Sequence, residues 1–233
     1  MTRWFYLSIV LTLLAFAGSL YVCQFRYDDL PEQVPIHWNI HGQPDGFVPK
    51  SDVFLTFLLL PAVMAGTLVL TLVLPWLSPK SFEVERFRGV YGYIMMLVTA
   101  LLGFIHAISL WGSLNPQLPL DRLLIGGLFA FFALLGNVLG KVKRNFWIGV
   151  RTPWTLASEQ VWNETHRLTA WLWVGVSVAA IVALLCGVPV AVTFVALMVA
   201  ALYPILHSLL LYKRLERAGK LEATSLSDTG TVA

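Results

Sequence analysis

Charged residues divide the chain into long apolar runs. Five runs contain no Asp, Glu, Lys or Arg, and they lie between Arg3 and Arg26, Asp52 and Lys80, Arg88 and Asp121, Arg122 and Lys141, and Arg167 and Lys213. A helix that crosses the hydrocarbon core of a bilayer needs about 20 apolar residues, and all the runs reach that length except the one after Arg122, which is marginal. The last run is too long for one crossing, and Gly187 and Pro189 near its middle end one helix and begin the next.

This pattern predicts an all-α, polytopic integral membrane protein with six transmembrane helices. The predicted spans are Trp4–Cys23, Asp52–Trp76, Val90–Gly112, Leu120–Leu139, His166–Cys186 and Pro189–Tyr212. The composition agrees, because 58% of the residues are hydrophobic, only 12% are charged, and the mean hydropathy is +0.74. Such values exclude an ordinary soluble domain and a disordered chain, and the spans leave too little sequence for a soluble catalytic domain.

The Lys and Arg residues predict the orientation. If the connections alternate sides, thirteen of the 16 fall on one side, and three, Arg26, Lys50 and Arg122, fall on the other. Cytoplasmic loops carry an excess of positive charge, so both termini are expected in the cytoplasm. The same excess accounts for the net charge of +3 and the pI near 9.0, so we expect no direct binding of nucleic acid.

The first span could be read as a signal peptide, because residues 15–17 (Ala-Phe-Ala) resemble a cleavage site. The apolar run continues to Phe25, and one positive charge precedes it, so we expect an uncleaved span.

Cys23 and Cys186 fall at the outer ends of the first and fifth spans. They could pair if those ends were neighbours, but the expectation is two buried thiols.

The longest outer connection, residues 24–51, is predicted to be compact and acidic. Its prolines and its turn signals at Gly42 and Gly46 forbid a long helix, and the stretch 34–40 suits a short extended segment. Four carboxylates outnumber two cations in this loop. Its aromatic side chains are expected at the level of the lipid headgroups; they are Tyr27, Trp38 and Phe47.

Two histidines in this loop raise the question of a metal site. His37 and His41, with Asp45 as a third ligand, contain suitable donor atoms. However, an H-x-x-x-H spacing places both imidazoles on one face only in a helix, which the prolines oppose. We therefore expect neither a metal nor a cofactor, and we predict that the His, Trp and Asp side chains hold a compact turn together by hydrogen bonds.

The connection between the fourth and fifth spans is the second informative segment. Thr152 and Pro153 have the residue types of a helix N-cap and a first helical position. A helix with a polar face is expected to run from there through Trp162 into the fifth span. The tryptophans and cations of the segment suit an amphipathic stretch that lies along the inner leaflet; they are Trp147, Trp154, Trp162, Lys141, Lys143, Arg144 and Arg151.

The same segment resembles the signature of the SdpI family of bacterial six-span membrane proteins. The resemblance rests on Asn137, Gly140, Asn145, Gly149, Arg151, Thr152, Pro153, Trp154, Thr155, Trp162, Thr165, His166 and Arg167. The outer loop, with the string LPEQVPIHWNIHGQPDGF, resembles the N-terminal membrane hairpin of unknown function that commonly precedes the SdpI domain. Thr169 and Ala170 depart from the pattern, because small glycines are expected there.

The resemblance implies three regions and a location. They are an N-terminal membrane hairpin at 1–79 with its extracytoplasmic loop at 24–51, an SdpI-like four-helix membrane domain at 80–213, and a cytoplasmic tail at 214–233. The tail from Glu222 onward lacks aromatic residues and hydrophobic periodicity, so we expect it to be disordered. The implied location is the bacterial cytoplasmic (inner) membrane, with the lipid bilayer as a constant partner.

The resemblance also implies a protective function. The namesake of the family is an immunity protein, which protects its producer from a secreted killing peptide and draws a small transcriptional repressor to the membrane. A cationic peptide toxin would be attracted electrostatically by the acidic outer loop, where the expected contact residues are Asp28, Asp29, Glu32, His37, Trp38, His41 and Asp45. The inner segment Arg151–Arg167 would engage the repressor.

A transporter or lipid-handling protein is an alternative class. The mid-span His106 and His207 could form a site if their helices packed together, or each could bond to a neighbouring backbone carbonyl. Transporters usually place ionisable groups at mid-membrane, often beside broken helices, and no carboxylate, Lys or Arg lies at mid-span here.

An intramembrane enzyme is a further alternative, although we expect no enzymatic activity. The sequence has no H-E-x-x-H, no paired intramembrane aspartates and no G-x-S-x-G. A lipid-phosphate site could be built from Arg151, Glu159, Glu164, His166 and Arg167. Alternatively, Glu164 and Arg167 simply pair on one helical turn.

Overall fold

The computed structural model describes residues 2–39, 41–115, 117–118 and 120–221, and six helices long and apolar enough to cross a membrane confirm the predicted spans. The helices are α1 (Arg3–Phe25), α2 (Val53–Trp76), α3 (Arg88–Leu114), α4 (Asp121–Leu139), a short α5 (Pro153–Ala157), α6 (Glu159–Leu185) and α7 (Val190–Arg217). The chain is therefore an all-α, multi-pass membrane protein with one small sheet. The tail from Glu222, for which disorder was predicted, lies outside the described residues.

The helix at the start of the fifth span differs from the prediction. We expected one helix from Thr152 through Trp162, but α5 ends at Ala157 and α6 begins at Glu159. Ser158 separates them with an extended backbone (φ −137°, ψ 129°), and its hydroxyl accepts a hydrogen bond from the Val161 amide as the N-cap of α6. The prediction of a continuous helix was therefore wrong, because this second cap was not recognised.

The connection between α1 and α2 contains a β-hairpin. Strand β1 (Gln33–Trp38) pairs antiparallel with β2 (Pro44–Pro49), and the register is irregular around His37. Strand β1 confirms the predicted extended segment. Strand β2 was not predicted, because its sequence PDGFVP contains two prolines and a glycine, which are depleted in strands.

The long helices form two groups of three that meet where α3 packs on α4. Helices α1, α2 and α3 contact one another, and α6 packs against both α4 and α7. Helix α3 contacts α1 and α2 more extensively than it contacts α4. The N-terminal hairpin of helices is thus joined to the rest of the bundle through α3.

The interior of the bundle is rich in small polar side chains, and its outside is apolar. Leu55, Trp171 and Leu185 are among the large apolar side chains that the protein leaves exposed. Small residues let helices approach closely in lipid, and buried hydroxyls bond to carbonyls one turn earlier or to a neighbouring helix. Buried hydroxyl residues occur in five of the long helices, and examples are Ser8, Thr12, Ser19, Thr67, Thr99, Ser113, Thr169 and Ser208.

The two ends of the bundle carry different structures. At one end, the β-hairpin rests on the last turn of α3, where the Ser113 hydroxyl donates to the Pro35 carbonyl over 2.8 Å. We call residues 24–52 the hairpin cap. At the opposite end, residues 140–158 join α4 to α6, and we call this segment the elbow. The hairpin cap and the elbow contain most of the predicted functional residues.

Candidate functional site

The elbow is organised around the buried side-chain amide of Asn145. Its Nδ2 donates to the carbonyls of Lys143 and Ile148, each over 2.9 Å. Its Oδ1 accepts from the amides of Trp147 (2.7 Å) and Ile148 (2.8 Å). Because both amide protons and the carbonyl oxygen have partners, this one side chain closes the turn from 143 to 148. If this side chain were buried without these partners, the free energy of unfolding would fall by about 1–3 kcal/mol.

His166 of α6 holds the elbow against the bundle. Its Nδ1 donates to the Trp162 carbonyl over 2.8 Å, and its Nε2 accepts from the Val150 amide over 3.0 Å. These partners fix the neutral tautomer, because a proton on Nε2 would face the Val150 N–H. Gly149 has a φ of +115°, and a Cβ at this position would lie 2.2 Å from Nε2 of His166. Both the backbone conformation and the close approach therefore require glycine.

Thr152 and Thr155 start α5 with a reciprocal capping box. The Thr152 hydroxyl accepts from the Thr155 amide, and the Thr155 hydroxyl accepts from the Thr152 amide. The Thr152 hydroxyl also lies 3.0 Å from the hydroxyl of Ser208 on α7. The predicted N-cap at Thr152, with Pro153 at the first helical position, is confirmed. The cap also ties the elbow to α7.

Trp162 lies in the core rather than at the membrane surface. It is fully buried, its Nε1 donates to the Val142 carbonyl over 2.8 Å, and its ring stacks on the His166 ring with centroids 4.0 Å apart. The expectation that Trp162 lies along the inner leaflet was therefore wrong. The Trp162 side chain lies at the end of α4, where its indole N–H donates to the Val142 carbonyl of the loop.

The two tryptophans of the elbow itself, Trp147 and Trp154, are half-buried. The Nε1 of Trp147 donates to the Ser78 hydroxyl over 2.7 Å, which ties the elbow to the end of α2. Trp154 follows Pro153 in the first turn of α5.

Thr165 is buried on α6, and its carbonyl accepts from the Thr169 hydroxyl over 2.7 Å. The threonine at 169, where the family pattern has a small residue, is thus accommodated within the helix.

The exposed surface of the elbow region is cationic. Lys141, Lys143, Arg151 and Arg167 are exposed, and none forms an ion pair with a carboxylate within the part of the chain that the structure describes. The alternative in which Glu164 pairs with Arg167 is not found, because Glu164 instead accepts from Gln160 over 3.0 Å. The residues of the predicted motif therefore fall into two groups. One group holds the elbow together by hydrogen bonds, and the other consists of cations that are exposed at its surface.

The carboxylates of the hairpin cap fall into two kinds. Asp29 is paired with Arg26, and the hydrogen bond and the charge of Asp29 raise the pKa of the Arg26 guanidinium above its ordinary value. Asp45 is paired with His37, whose Nδ1 lies 2.5 Å from its Oδ1. The other three carboxylates, Asp28, Glu32 and Asp52, are exposed and form no ion pair among the described residues. The unpaired negative charge of the cap thus lies mainly at its base.

The turn of the hairpin is held by Asn39, which was not predicted. Its Oδ1 accepts from the amides of His41 (2.9 Å) and Gln43 (3.1 Å). The His37–Asp45 pair braces the two strands across this turn. Within the described ranges, no group of three or more His, Cys, Asp or Glu side chains is placed to hold a metal ion. The His37 side chain therefore has a local structural partner, whereas His41 is held through its backbone amide.

Trp38 anchors the hairpin cap to the helices. It is half-buried, and its ring lies so close to Gly112 of α3 that a Cβ there would approach Cζ2 to 2.7 Å. A Cβ on Gly46 of β2 would likewise lie 2.9 Å from the Cβ of His37. Trp38 is therefore oriented toward the bundle and presents less open apolar surface than the sequence suggested.

The mid-span histidines lie in different surroundings. The Nε2 of His106 on α3 lies 3.0 Å from the Ser19 hydroxyl and 3.2 Å from the Ala15 carbonyl, both on α1. His207 lies on α7, which packs against α6, α5 and α4, and its ring is tilted against Tyr203. The structure thus places His106 in a contact between helices and does not bring the two histidines into a shared hydrogen-bond network.

The two cysteines form no disulfide. Cys23 is half-buried near the end of α1, and Cys186 is exposed after the last turn of α6. The expectation of two buried thiols was therefore wrong for Cys186.

Sequence reasoning missed the hydroxyl residues that anchor the two end structures. The Ser78 hydroxyl accepts a hydrogen bond from Trp147, and the Ser113 hydroxyl donates one to the Pro35 carbonyl of the hairpin. The Ser208 hydroxyl forms a hydrogen bond with the Thr152 hydroxyl. A signal was present, because a serine in an apolar span can bond only within its helix or to another protein group. Its partner, however, cannot be identified without the fold.

Comparison with known proteins matches the elbow and the hairpin cap to two sequence families. The family model described as the SdpI/YfhL protein family matches residues 141–208, which cover the elbow from Lys141 onward and all of α6. A domain of unknown function (DUF1648) matches residues 10–65, which contain the hairpin cap. The Immunity protein SdpI of Bacillus subtilis (strain 168) is 30% identical over 164 residues, which cover 70% of this chain and 73% of that protein. No solved structure matches the chain.

These matches confirm the resemblance found in the R-T-P-W-T motif and in the outer loop. The match with the Bacillus protein covers more than two thirds of both chains. The six membrane helices, the elbow and the hairpin cap are thus the structure of a member of an immunity protein family. This protein belongs to the SdpI family of multi-pass membrane proteins.

Proposed function

We propose that this protein protects the cell that makes it from a secreted, cationic, membrane-active peptide. The observation that carries the proposal is its 30% identity to an immunity protein over 70% of the chain. That relationship also indicates a non-enzymatic role. The protein would act in the bacterial cytoplasmic membrane, with the hairpin cap outside and the elbow inside, as the distribution of positive charge predicts.

In this proposal, the hairpin cap is the surface that the peptide meets. Asp28 and Glu32 supply negative charge that no cation of the described chain neutralises by an ion pair. Phe47 on β2 of the same cap is exposed and offers apolar area. A cationic amphipathic peptide would be attracted over about one Debye length and then bury apolar surface, so protection should weaken as salt rises.

The elbow region is the surface proposed for a small cytoplasmic repressor. Lys143 and Arg167 are exposed and form no ion pair with a described carboxylate. The hydrogen bonds of Asn145 and His166 hold the neighbouring backbone in place. A fixed cationic face of this kind suits an acidic patch on a soluble protein.

The peptide-binding part of the proposal is tested by complementation. A strain that lacks the gene should become sensitive to cationic membrane-active peptides, and the wild-type gene should restore growth. A double charge reversal, Asp28→Lys with Glu32→Lys, should restore little protection at equal membrane abundance. The matched control is Glu83→Lys, since Glu83 is exposed at the opposite end of the bundle. Full protection by the double variant would refute the role of the cap.

The repressor-binding part is tested by fractionation. A tagged copy of a small winged-helix repressor encoded beside the gene should move from the soluble to the membrane fraction when the peptide is added. Lys143→Glu with Arg167→Glu should keep it soluble, whereas the control Lys220→Glu should not, because Lys220 lies beyond α7. Unchanged recruitment by the double variant would show that the elbow is not the docking surface.

A further inference from the structure

An apolar groove runs along the bundle beneath the elbow. It has a volume of about 330 Å³ and is open on one side. Its walls come from four helices and consist of Ile94 of α3, Leu135 and Leu139 of α4, Trp173 of α6, and Ala201 and Ile205 of α7. The groove forms between α3 and α7, which both flank the α4–α6 pair. We call it the elbow groove.

Residues 148–152 of the elbow line one end of the elbow groove, and Arg151 lies among them. The Arg151 side chain is exposed, and its Nη1 donates to the Phe146 carbonyl. A guanidinium has five N–H donors, so this bond leaves most of them available. No carboxylate among the described residues forms an ion pair with it.

We propose that the elbow groove binds one anionic phospholipid, with an acyl chain between α3 and α7 and the phosphate on Arg151. The wall is apolar, so a hydrocarbon chain fills it without leaving polar groups unpaired. Its volume lies in the range of small-molecule sites, roughly 300–1,000 Å³. Basic pockets between membrane helices bind anionic headgroups, and guanidinium forms bidentate hydrogen bonds to phosphate.

The charge of the headgroup beside Arg151 determines which class of lipid this site prefers. A zwitterionic headgroup carries its own ammonium group, which competes with Arg151 for the phosphate. Phosphatidylglycerol has no such group, so its phosphate leaves the cation of Arg151 as the nearest compensating charge. This binding site is separate from the cap and from Lys143 and Arg167, and it does not depend on the proposed immunity function.

Native mass spectrometry of the full chain tests the site. Wild-type protein released from nanodiscs of equal phosphatidylglycerol and phosphatidylcholine should retain one phosphatidylglycerol in preference to phosphatidylcholine. Arg151→Gln should lower that preference about fivefold, which corresponds to ~1 kcal/mol for one cation near an anionic lipid. Arg217→Gln is the matched control, because Arg217 is exposed at the same end of the bundle and lies outside the groove.

A second variant keeps the test decisive if Arg151→Gln disturbs the elbow. Ala201→Phe fills the groove from α7 and leaves Arg151 in place, so it should release the bound lipid while the protein remains folded by circular dichroism. Arg151→Lys should keep part of the preference, because it retains the charge and loses the bidentate geometry. Equal retention of both lipids by the wild type, or retention unchanged by both Arg151→Gln and Ala201→Phe, would overturn the proposal.

Discussion

The Ser19 hydroxyl of α1 donates to the Phe57 carbonyl of α2 over 2.8 Å, and Pro61 leaves this carbonyl without an amide donor. A proline inside a helix cannot bond to the carbonyl four residues earlier. In the hydrocarbon core no water can take its place, so a neighbouring helix must supply the donor. The contact between Ser19 and Phe57 therefore compensates for the proline and joins α1 to α2.

The same compensation occurs at the other prolines inside the described helices, Pro75 and Pro204. In each case a side chain on a different helix donates to the carbonyl four residues before the proline. The pairs are Tyr91 to Thr71 over 3.1 Å and Trp173 to Ala200 over 3.2 Å. Each of these prolines is thus matched by a donor side chain on a neighbouring helix.

Replacement of Ser19 tests this coupling. Ser19→Ala should lower the free energy of unfolding by about 1 kcal/mol, the usual size of a hydrogen bond between membrane helices. In a Pro61→Ala background the amide of residue 61 can serve Phe57, so Ser19→Ala should cost less there. Unfolding in mixed micelles by SDS titration measures both values. Ser109→Ala is the control, because the Ser109 hydroxyl donates to the Ile105 carbonyl within its own helix. An equal cost in both backgrounds would contradict the coupling.

Replacement of Asn145 tests the hydrogen-bond network of the elbow. Asn145→Asp preserves shape but turns the Nδ2 donor into an oxygen that faces the carbonyls of Lys143 and Ile148. A buried charge without donors at this side should cost at least about 2 kcal/mol. Thermal unfolding in detergent should show the loss, whereas Asn163→Asp, at an exposed position on α6, should change little. A similar small effect of both variants would show that the network is dispensable.

The helices could be predicted because long charge-free runs have few alternatives in lipid, and the cap of α5 could be read from Thr152 and Pro153. The burial of Trp162 could not, because its amphipathic neighbours also suit a surface helix. Its burial depends on the break at Ser158, which reorients the start of α6 toward α4. Strand β2 was likewise missed, because pairing with β1 and the contact of Trp38 with α3 override a weak local preference.

Replacement of Gly149 tests the contact between the elbow and α6. Gly149→Ala places a Cβ 2.2 Å from the His166 Nε2 at a φ of +115°, so the bond from Val150 to His166 should break. Trypsin should then cut the elbow of the detergent-solubilised protein faster, while the helix content stays constant. Gly140→Ala is a matched control, because Gly140 has a helical φ of −65° and its Cβ would meet no atom closer than 3.9 Å. If trypsin cuts the two variants at the same rate, the close contact does not hold the elbow.

Replacement of Gly112 separates the hairpin cap from the bundle. A side chain there would overlap two neighbours, the Cδ1 atom of Leu120 just before α4 and the ring of Trp38, whose Cζ2 would lie 2.7 Å from the added Cβ. Gly112→Leu should therefore loosen the cap, speed tryptic cleavage after Arg26 or Lys50, and reduce protection against the peptide. Gly126→Leu is the control, since a Cβ on Gly126 of α4 meets no atom within 4 Å. Because the elbow is distant from Gly112, cleavage in the elbow should keep its wild-type rate. A loosened cap with full protection would mean that the peptide is met elsewhere, and an unchanged cap would mean that Trp38 does not anchor it.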